Sequence, residues 1–239
     1  MIEMRHRSLN DTHIDVWPAF TDFITSVLLI VVLFVFGIFF TNVARELLSV
    51  GNEINLVRAK QRAVADRLVN IPGVEVQESG NLQRIVLHVD KEGKGGVLFD
   101  SGKAELKEQG KEMLGRIVAV LKDTSTYYKT IQVEGHTDDR PISSFQYRSN
   151  WELSAARAGA VVSYLLSQQN VLEPWRFSAN GRGEYRPYNV PETEMKMEVT
   201  REPFAQRYPA DTLPDYVVKN NARSNAAALN RRIEIILIY

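Results

Sequence analysis

The chain has 239 residues and a mass of 27.1 kDa, enough for one domain of ordinary size and something besides. Lys+Arg and Asp+Glu stand at 29 each, so no charge excess points to nucleic acid as a partner. Cysteine is missing altogether, which excludes disulfides, thiolate metal sites and cysteine nucleophiles together.

Apolar character is concentrated near the N-terminus. Phe23 to Phe40 reads FITSVLLIVVLFVFGIFF without a charge, and uncharged residues continue to Ala44. At about 1.5 Å per residue, a helix over 17–44 is long enough for the roughly 30 Å hydrocarbon core of a bilayer. The run exceeds a signal-peptide core, and no small-x-small cleavage pattern follows before Arg45. The sequence therefore predicts a retained transmembrane helix at 17–44 behind a cytoplasmic head at 1–16. Arg5 and Arg7 in the head are offset by Glu3, Asp11 and Asp15, so orientation rests on the C-terminal domain, expected outside the cytoplasm.

One carboxylate interrupts the span. Asp22 lies four residues after Pro18, in the first turn of the expected helix, where it could serve as a partner for the helix dipole or as an interfacial residue. The other reading makes it an ionisable group within the bilayer, able to take up and give back a proton. Thr21, Thr25 and Ser26 place hydroxyls nearby that could support an ion path. A short head, an aromatic-small-Asp-Phe sequence with hydroxyl neighbours, and an apolar run resemble the single membrane helix of MotB-type stator subunits. That resemblance makes Asp22 the carrier of the coupling ion.

Beyond the span, Val43, Leu47, Val50, Ile54, Val57, Gln61, Val64 and Leu68 recur at alternating spacings of four and three. This pattern predicts a coiled-coil stalk over 45–72 in a parallel homodimer, with Gln61 as a register-setting polar seam residue. An amphipathic helix packed on the chain's own domain would show the same pattern. Ile71-Pro72-Gly73 ends the helix. No Gly/Pro/Ser-rich linker separates span and stalk, which departs from the plug and flexible linker that usually follow the membrane helix in flagellar stator subunits.

Residues 73–239 alternate short strands and helices. Strands are expected at 84–90, 96–102, 130–135, 176–181 and 231–239, and helices at 104–122 and 151–169. The predicted fold is an α/β sandwich, with helices packed on a mixed four- to five-stranded sheet. LFDSGKAEL (98–106), VEGHTDDRP (133–141), SNWELSAARA (149–158), ANGRGEYRP (179–187) and NRRIEI (230–235) resemble, in order, the motifs of OmpA/MotB-like domains. The resemblance implies a periplasmic domain that binds peptidoglycan.

Peptidoglycan stem peptides carry carboxylates and free amines, often on diaminopimelate. Their recognition needs an anion acceptor and a cation acceptor a fixed distance apart. Arg157 offers a planar fork for a carboxylate, and Asp138 a carboxylate for an ammonium. The resemblance makes these two the ligand clamp, although a structural ion pair between them is the plainer alternative. Asn150 is expected to cap the second helix or touch the ligand, while Thr137 and Leu153 shape the pocket, with packing the plainer role for Leu153 and Trp151. His136 has no partner at zinc-ligand spacing, and no nucleophile motif or pair of flanking carboxylates is visible. Neither an enzyme, a bound metal nor a cofactor is expected, the transported ion aside.

A proline-rich stretch at 189–229 reads as a surface insertion. The whole resembles the B subunit of an ion-driven rotary motor in the bacterial inner membrane. Its implied partner is a MotA-like (ZorA-like) multi-helix membrane subunit, five around two, and H+ is the expected ion. A Zorya-type anti-phage motor is favoured over a flagellar one by the direct stalk and the insertion. A passive peptidoglycan tether without ion coupling is the third reading.

Overall fold

The computed structural model describes residues 16–88, 97–142, 144–168, 172–190, 217 and 226–239. Residues 1–15 of the expected head and most of the 189–229 insertion lie outside these residues. Two compact units are distinguished, Met1–Asn55 and Leu56–Tyr239.

In the first unit the chain is helical from Trp17 onward, as part of α1 (Trp17–Leu68). Its large apolar side chains, from Val16 through Phe40, are exposed. Exposed apolar surface on this scale is unfavourable in water and favourable in lipid. Among the described residues α1 is the one helix long and apolar enough to cross a membrane.

The second unit is built on a five-stranded sheet: β1 (Val74–Ser79), β2 (Leu82–His88), β3 (Thr130–Gly135), β4 (Phe177–Gly181) and β5 (Arg232–Ile238). The order is β1-β2-β5-β3-β4, antiparallel except for the parallel β3–β4 pair. α2 (Glu108–Asp123) precedes β3, α3 (Asn150–Ser167) makes the crossover from β3 to β4, and a short α4 (Ala226–Asn230) leads into β5. Alternation decides the faces. Ile131 and Val133 of β3, Ile85 and Leu87 of β2, and Ile233, Ile235 and Leu237 of β5 enter one core with Leu114, Ile117 and Leu121 of α2 and Val161 and Leu165 of α3.

Three expectations need correction. The strand expected at 96–102 is absent over its described part: Phe99 makes a single bridge to Leu106, and the chain turns at Gly102, whose φ is +69°. Leu98 and Phe99 look strand-like because they are buried, yet a loop buries them. The same bridge holds residues 104–107 out of the helix, so α2 starts at Glu108, after an extended Lys107. The fifth strand is instead β1, which pairs with β2 through a two-residue Gly80-Asn81 connection. An edge strand with a largely polar sequence, VEVQES, lacks the apolar alternation by which strands are recognised.

The second half of the expected coiled-coil seam is also corrected. Val64 and Leu68 are fully buried in the domain's own core, with Val57 packed against it. Gln61 does not set a dimer register. Its Nε2 donates to the carbonyls of Gly80 (3.1 Å) and Leu82 (3.3 Å), and its own carbonyl accepts from Gln83 Nε2 at 2.7 Å. Heptad spacing records that one helix face is apolar; it does not record what covers that face. Burying two such side chains contributes about 1.5–3 kcal/mol each to the domain. Val43, Leu47, Val50 and Ile54 of the same pattern remain exposed.

The helix–sheet contact is closest at two glycines. A Cβ on Gly135 would lie 2.1 Å from the carbonyl oxygen of Ser154, and one on Gly181 would lie 2.7 Å from the amide nitrogen of Ala155. Both obstacles are α3 backbone, which cannot rotate aside. Gly135→Ala is therefore expected to destabilise the domain by about 3 kcal/mol or more, at the upper end of overpacking costs. Thermal melting of the detergent-solubilised chain checks this, with a loss of about 6–12 °C expected.

Candidate ligand-binding site

The C-terminal ends of β3 and β4 and the first turns of α3 converge on one region. Ser149 caps α3, its Oγ accepting from Glu152 N at 3.3 Å. Asn150 is thereby released from the capping role expected of it. Its amide donates to the carbonyls of Arg140 (3.1 Å) and Asp138 (3.4 Å), fixing the loop that leaves β3. Thr137 is buried in that loop, its N–H donating to the Gly183 carbonyl at 3.0 Å while its hydroxyl finds no partner.

Arg157, two turns into α3, is 3% exposed. Nε donates to the carbonyl of Lys103 at 2.8 Å and a terminal nitrogen to that of Asp100 at 3.1 Å, with the guanidinium 5.3 Å from the centroid of the Phe99 ring. Burial lowers its pKa to about 10, with the charge of Asp138 working in the opposite direction. No ion pair joins Arg157 to a carboxylate among the described residues. A buried cation held only by carbonyl dipoles and a ring face is primed for an anionic ligand. Leu153, one turn before it, is buried as packing.

Asp138 is buried too, and the plain ion pair with Arg157 is not what it makes. Its Oδ2 accepts from Arg140 Nε at 2.8 Å and from Arg231 at 2.6 Å. Two guanidiniums on one oxygen leave Oδ1 as the oxygen without a hydrogen bond among the described residues. Asp138 and Arg157 thus stand as separate charges within electrostatic reach of each other. Arg140 and Arg231 sat in quoted motifs without a role, because which arginine meets a loop aspartate depends on how β5 lies beside β3. Glu184 was missed for the same reason. It is half-buried, burial raises its pKa with Asn150 working in the opposite direction, and its buried Oε2 has no hydrogen-bond partner among the described residues.

Beneath the site, Glu134, His136 and Glu234 bring possible ligand atoms within 4.8 Å of one another. His136 Nε2 lies 3.7 Å from each carboxylate. However, Arg182 pairs with Glu134, Arg186 stands 3.7 Å from it, Arg232 donates to Glu234 at 2.7 Å and Arg84 stands 3.6 Å from Glu234. Guanidiniums outnumber the carboxylates here, so a divalent cation would be repelled, and the cluster reads as a buried polar network.

His136 gives this network a pH signature. Burial first, and then the guanidiniums of Arg232, Arg186 and Arg182, hold its imidazole well below its usual 6.5. As pH falls through about 6.5, the unfolded chain takes up a proton that the folded chain does not. Stability is then full above that pH and declines below it by about 1.4 kcal/mol per unit. Urea melts at pH 7.5, 6 and 5 should show the slope, and His136→Asn should remove this group's share of it.

In the first unit, the hydroxyls expected around the membrane acid are turned onto the helix backbone. Thr21 Oγ1 donates to the carbonyls of Trp17 and Pro18. Thr25 Oγ1 donates to those of Thr21 and Asp22, and Ser26 Oγ to that of Asp22 at 2.8 Å. None of them bonds the Asp22 carboxylate.

Residues 98–201 match the OmpA family, a span that includes β3, α3, β4 and the site between them. The domain is OmpA-like. Uncharacterized protein YtxE of Bacillus subtilis (strain 168) is 42% identical over 105 residues, 44% of this chain and 42% of the relative. Motility protein B of the same organism is 35% identical over 94 residues, 39% of this chain and 35% of the relative. The chain thus spans less than half the length of the curated relatives it matches. Among solved structures, the cell wall anchor of the T6SS from Pseudomonas aeruginosa is 26% identical with a TM-score of 0.50, covering 74% of this chain and 94% of that one. No catalytic family is indicated. An apolar N-terminal helix with an OmpA-like, MotB-like domain fits a single-pass inner-membrane protein with a periplasmic domain.

Proposed function

We propose that this chain is the B-type stator subunit of an ion-driven rotary membrane motor, its OmpA-like domain gripping peptidoglycan and Asp22 carrying the coupling ion, H+. One observation carries the reading. A single chain joins a helix whose apolar stretch, 17–44, holds one carboxylate to a domain whose site presents a buried guanidinium without a carboxylate partner among the described residues. Arg157 receives the carboxylate of a stem peptide, and Asp138, through Oδ1, its ammonium. Asn150 and Thr137 hold the loop between them. The N-terminus is cytoplasmic and the domain periplasmic, because the wall lies on that side. One helix per chain cannot enclose an ion path, so the unit needs a MotA-like multi-helix partner, five copies around two of this chain. The exposed Val43, Leu47, Val50 and Ile54 supply the seam for that pair.

Within the motor class, the reading that fits best is the Zorya-type anti-phage system, with a ZorA-like partner. Its support is the run of α1 from Trp17 to Leu68, in which no flexible linker follows the span. Similarity to motility protein B supports a flagellar motor instead. Gene neighbourhood separates the two: helicase- or nuclease-type neighbours indicate defence, and flagellar genes indicate motility. A passive tether is favoured by likeness to the T6SS cell wall anchor. The anchor itself is tested by mixing the full detergent-solubilised chain with purified sacculi. Sedimentation with the sacculi is expected, and a folded chain left in the supernatant overturns the reading.

A further inference from the structure

Beside the charged pair lies an aromatic surface that the grip on a peptide does not use. Trp151, the second residue of α3, is 48% exposed although it sits at the rim of the site. Its ring stacks on that of Tyr185, centroids 5.5 Å apart and planes 25° from parallel. The loop carrying Tyr185 is tied down on both sides. Gly183 N donates to Ser154 Oγ at 3.0 Å, its carbonyl accepts from Thr137 N at 3.0 Å, and Ser154 Oγ donates to the Trp151 carbonyl at 3.0 Å. Stacking covers one face of the Trp151 ring and holds it in place, leaving the half-exposed indole as an apolar surface in a polar setting. It is continuous with the site, since Asn150, which donates to the carbonyls of Asp138 and Arg140, directly precedes Trp151 in α3.

An exposed ring face in a polar setting suits a ligand that is apolar on one side and polar at its rim. A pyranose ring has that form, with axial C–H groups on its face and hydroxyl or acetamido N–H donors around its edge. We propose that Trp151 and Tyr185 form a sugar-stacking platform for the glycan strand of peptidoglycan. The proposal rests on the reading that Arg157 and Asp138 hold the stem peptide. One domain then recognises both chemical components of the wall, and the aromatic pair fixes the direction in which the peptide leaves its glycan. Rigid aromatic faces provide such contact area at low entropic cost.

Calorimetric titration of the full chain in detergent tests this with two probes, a disaccharide-tetrapeptide containing diaminopimelate and the same tetrapeptide without sugars. The wild type is expected to bind the sugar-bearing probe about tenfold more tightly. Trp151→Ala should bind both probes with the affinity of the bare peptide, and Trp151→Phe should keep part of the preference. Tyr185→Ala provides a second variant, with the same loss expected, should Trp151→Ala not fold. Trp175 is 79% exposed but precedes β4 at its opposite end, so Trp175→Ala should behave as wild type. Equal wild-type affinity for the two probes, or a parallel loss for both in Trp151→Ala, overturns the platform while leaving the peptide grip standing. If the wild type binds neither probe, the anchor reading falls and the platform with it.

Discussion

Replacing Asp22 with asparagine should reduce ion-driven output to background while leaving the OmpA-like domain folded and bound to the wall. Asparagine keeps the size and polarity of the side chain but cannot bind and release a proton. It therefore removes the cycle on which the proposed rotation of a multi-helix ring around a dimer of this chain depends. The apolar residues that follow, Phe23 and Ile24 and then Val27 to Phe40, contain no second ionisable group to stand in for it. The check is proton uptake under an imposed membrane potential, in liposomes holding this chain together with its multi-helix partner. Asp22→Glu should retain part of the flux. Because the hydroxyls of Thr21, Thr25 and Ser26 already bond helix carbonyls, removing any one of them should lower the flux far less than Asp22→Asn does. Flux unchanged in Asp22→Asn would leave the chain a passive tether.

Arg157→Lys is expected to cost almost all binding to sacculi. The fork of Arg157 spans two carbonyls, those of Lys103 and Asp100. An ammonium is a single point and cannot bond both carbonyls and a ligand carboxylate in the same geometry. Losing a buried, hydrogen-bonded charge interaction costs about 2–5 kcal/mol, a fall in affinity of about 30-fold or more. Arg157→Ala goes further and also leaves two carbonyls unpaired, so it should lower the melting temperature besides. Co-sedimentation with sacculi and a thermal melt of each variant separate the effects. If Arg157→Lys sediments as wild type does, the guanidinium is structural and the ligand is held elsewhere.

The two variants lie at opposite ends of the proposed machine, and their phenotypes should differ. Asp22→Asn keeps the anchor and loses the drive. Arg157→Lys keeps the carboxylate but lets the dimer turn with the ring it should resist.

Much of this was legible in the sequence because it depends on local chemistry. An uncharged run from Phe23 to Phe40 gives an apolar helix long enough to cross a membrane, and the chain is helical there. The strands at 130–135 and 231–239 showed in their own alternation or apolar content, and the motifs that contain Asp138 and Arg157 marked them as candidates. Other features depend on which surfaces meet. The pattern through Val57, Gln61, Val64 and Leu68 marks an apolar stripe, and only the packed domain decides that its own core, rather than a second chain, covers that stripe. β1 is too polar to read as a strand and exists because β2 offers it an edge. The placing of Arg140 and Arg231 on one oxygen of Asp138, of Trp151 on Tyr185, and of Asn150 on a loop instead of a helix end depends on sheet order. Periodicity is local and survives in one dimension; the partners of a buried charge come from segments far apart in the chain, and they are assigned only when the sheet closes.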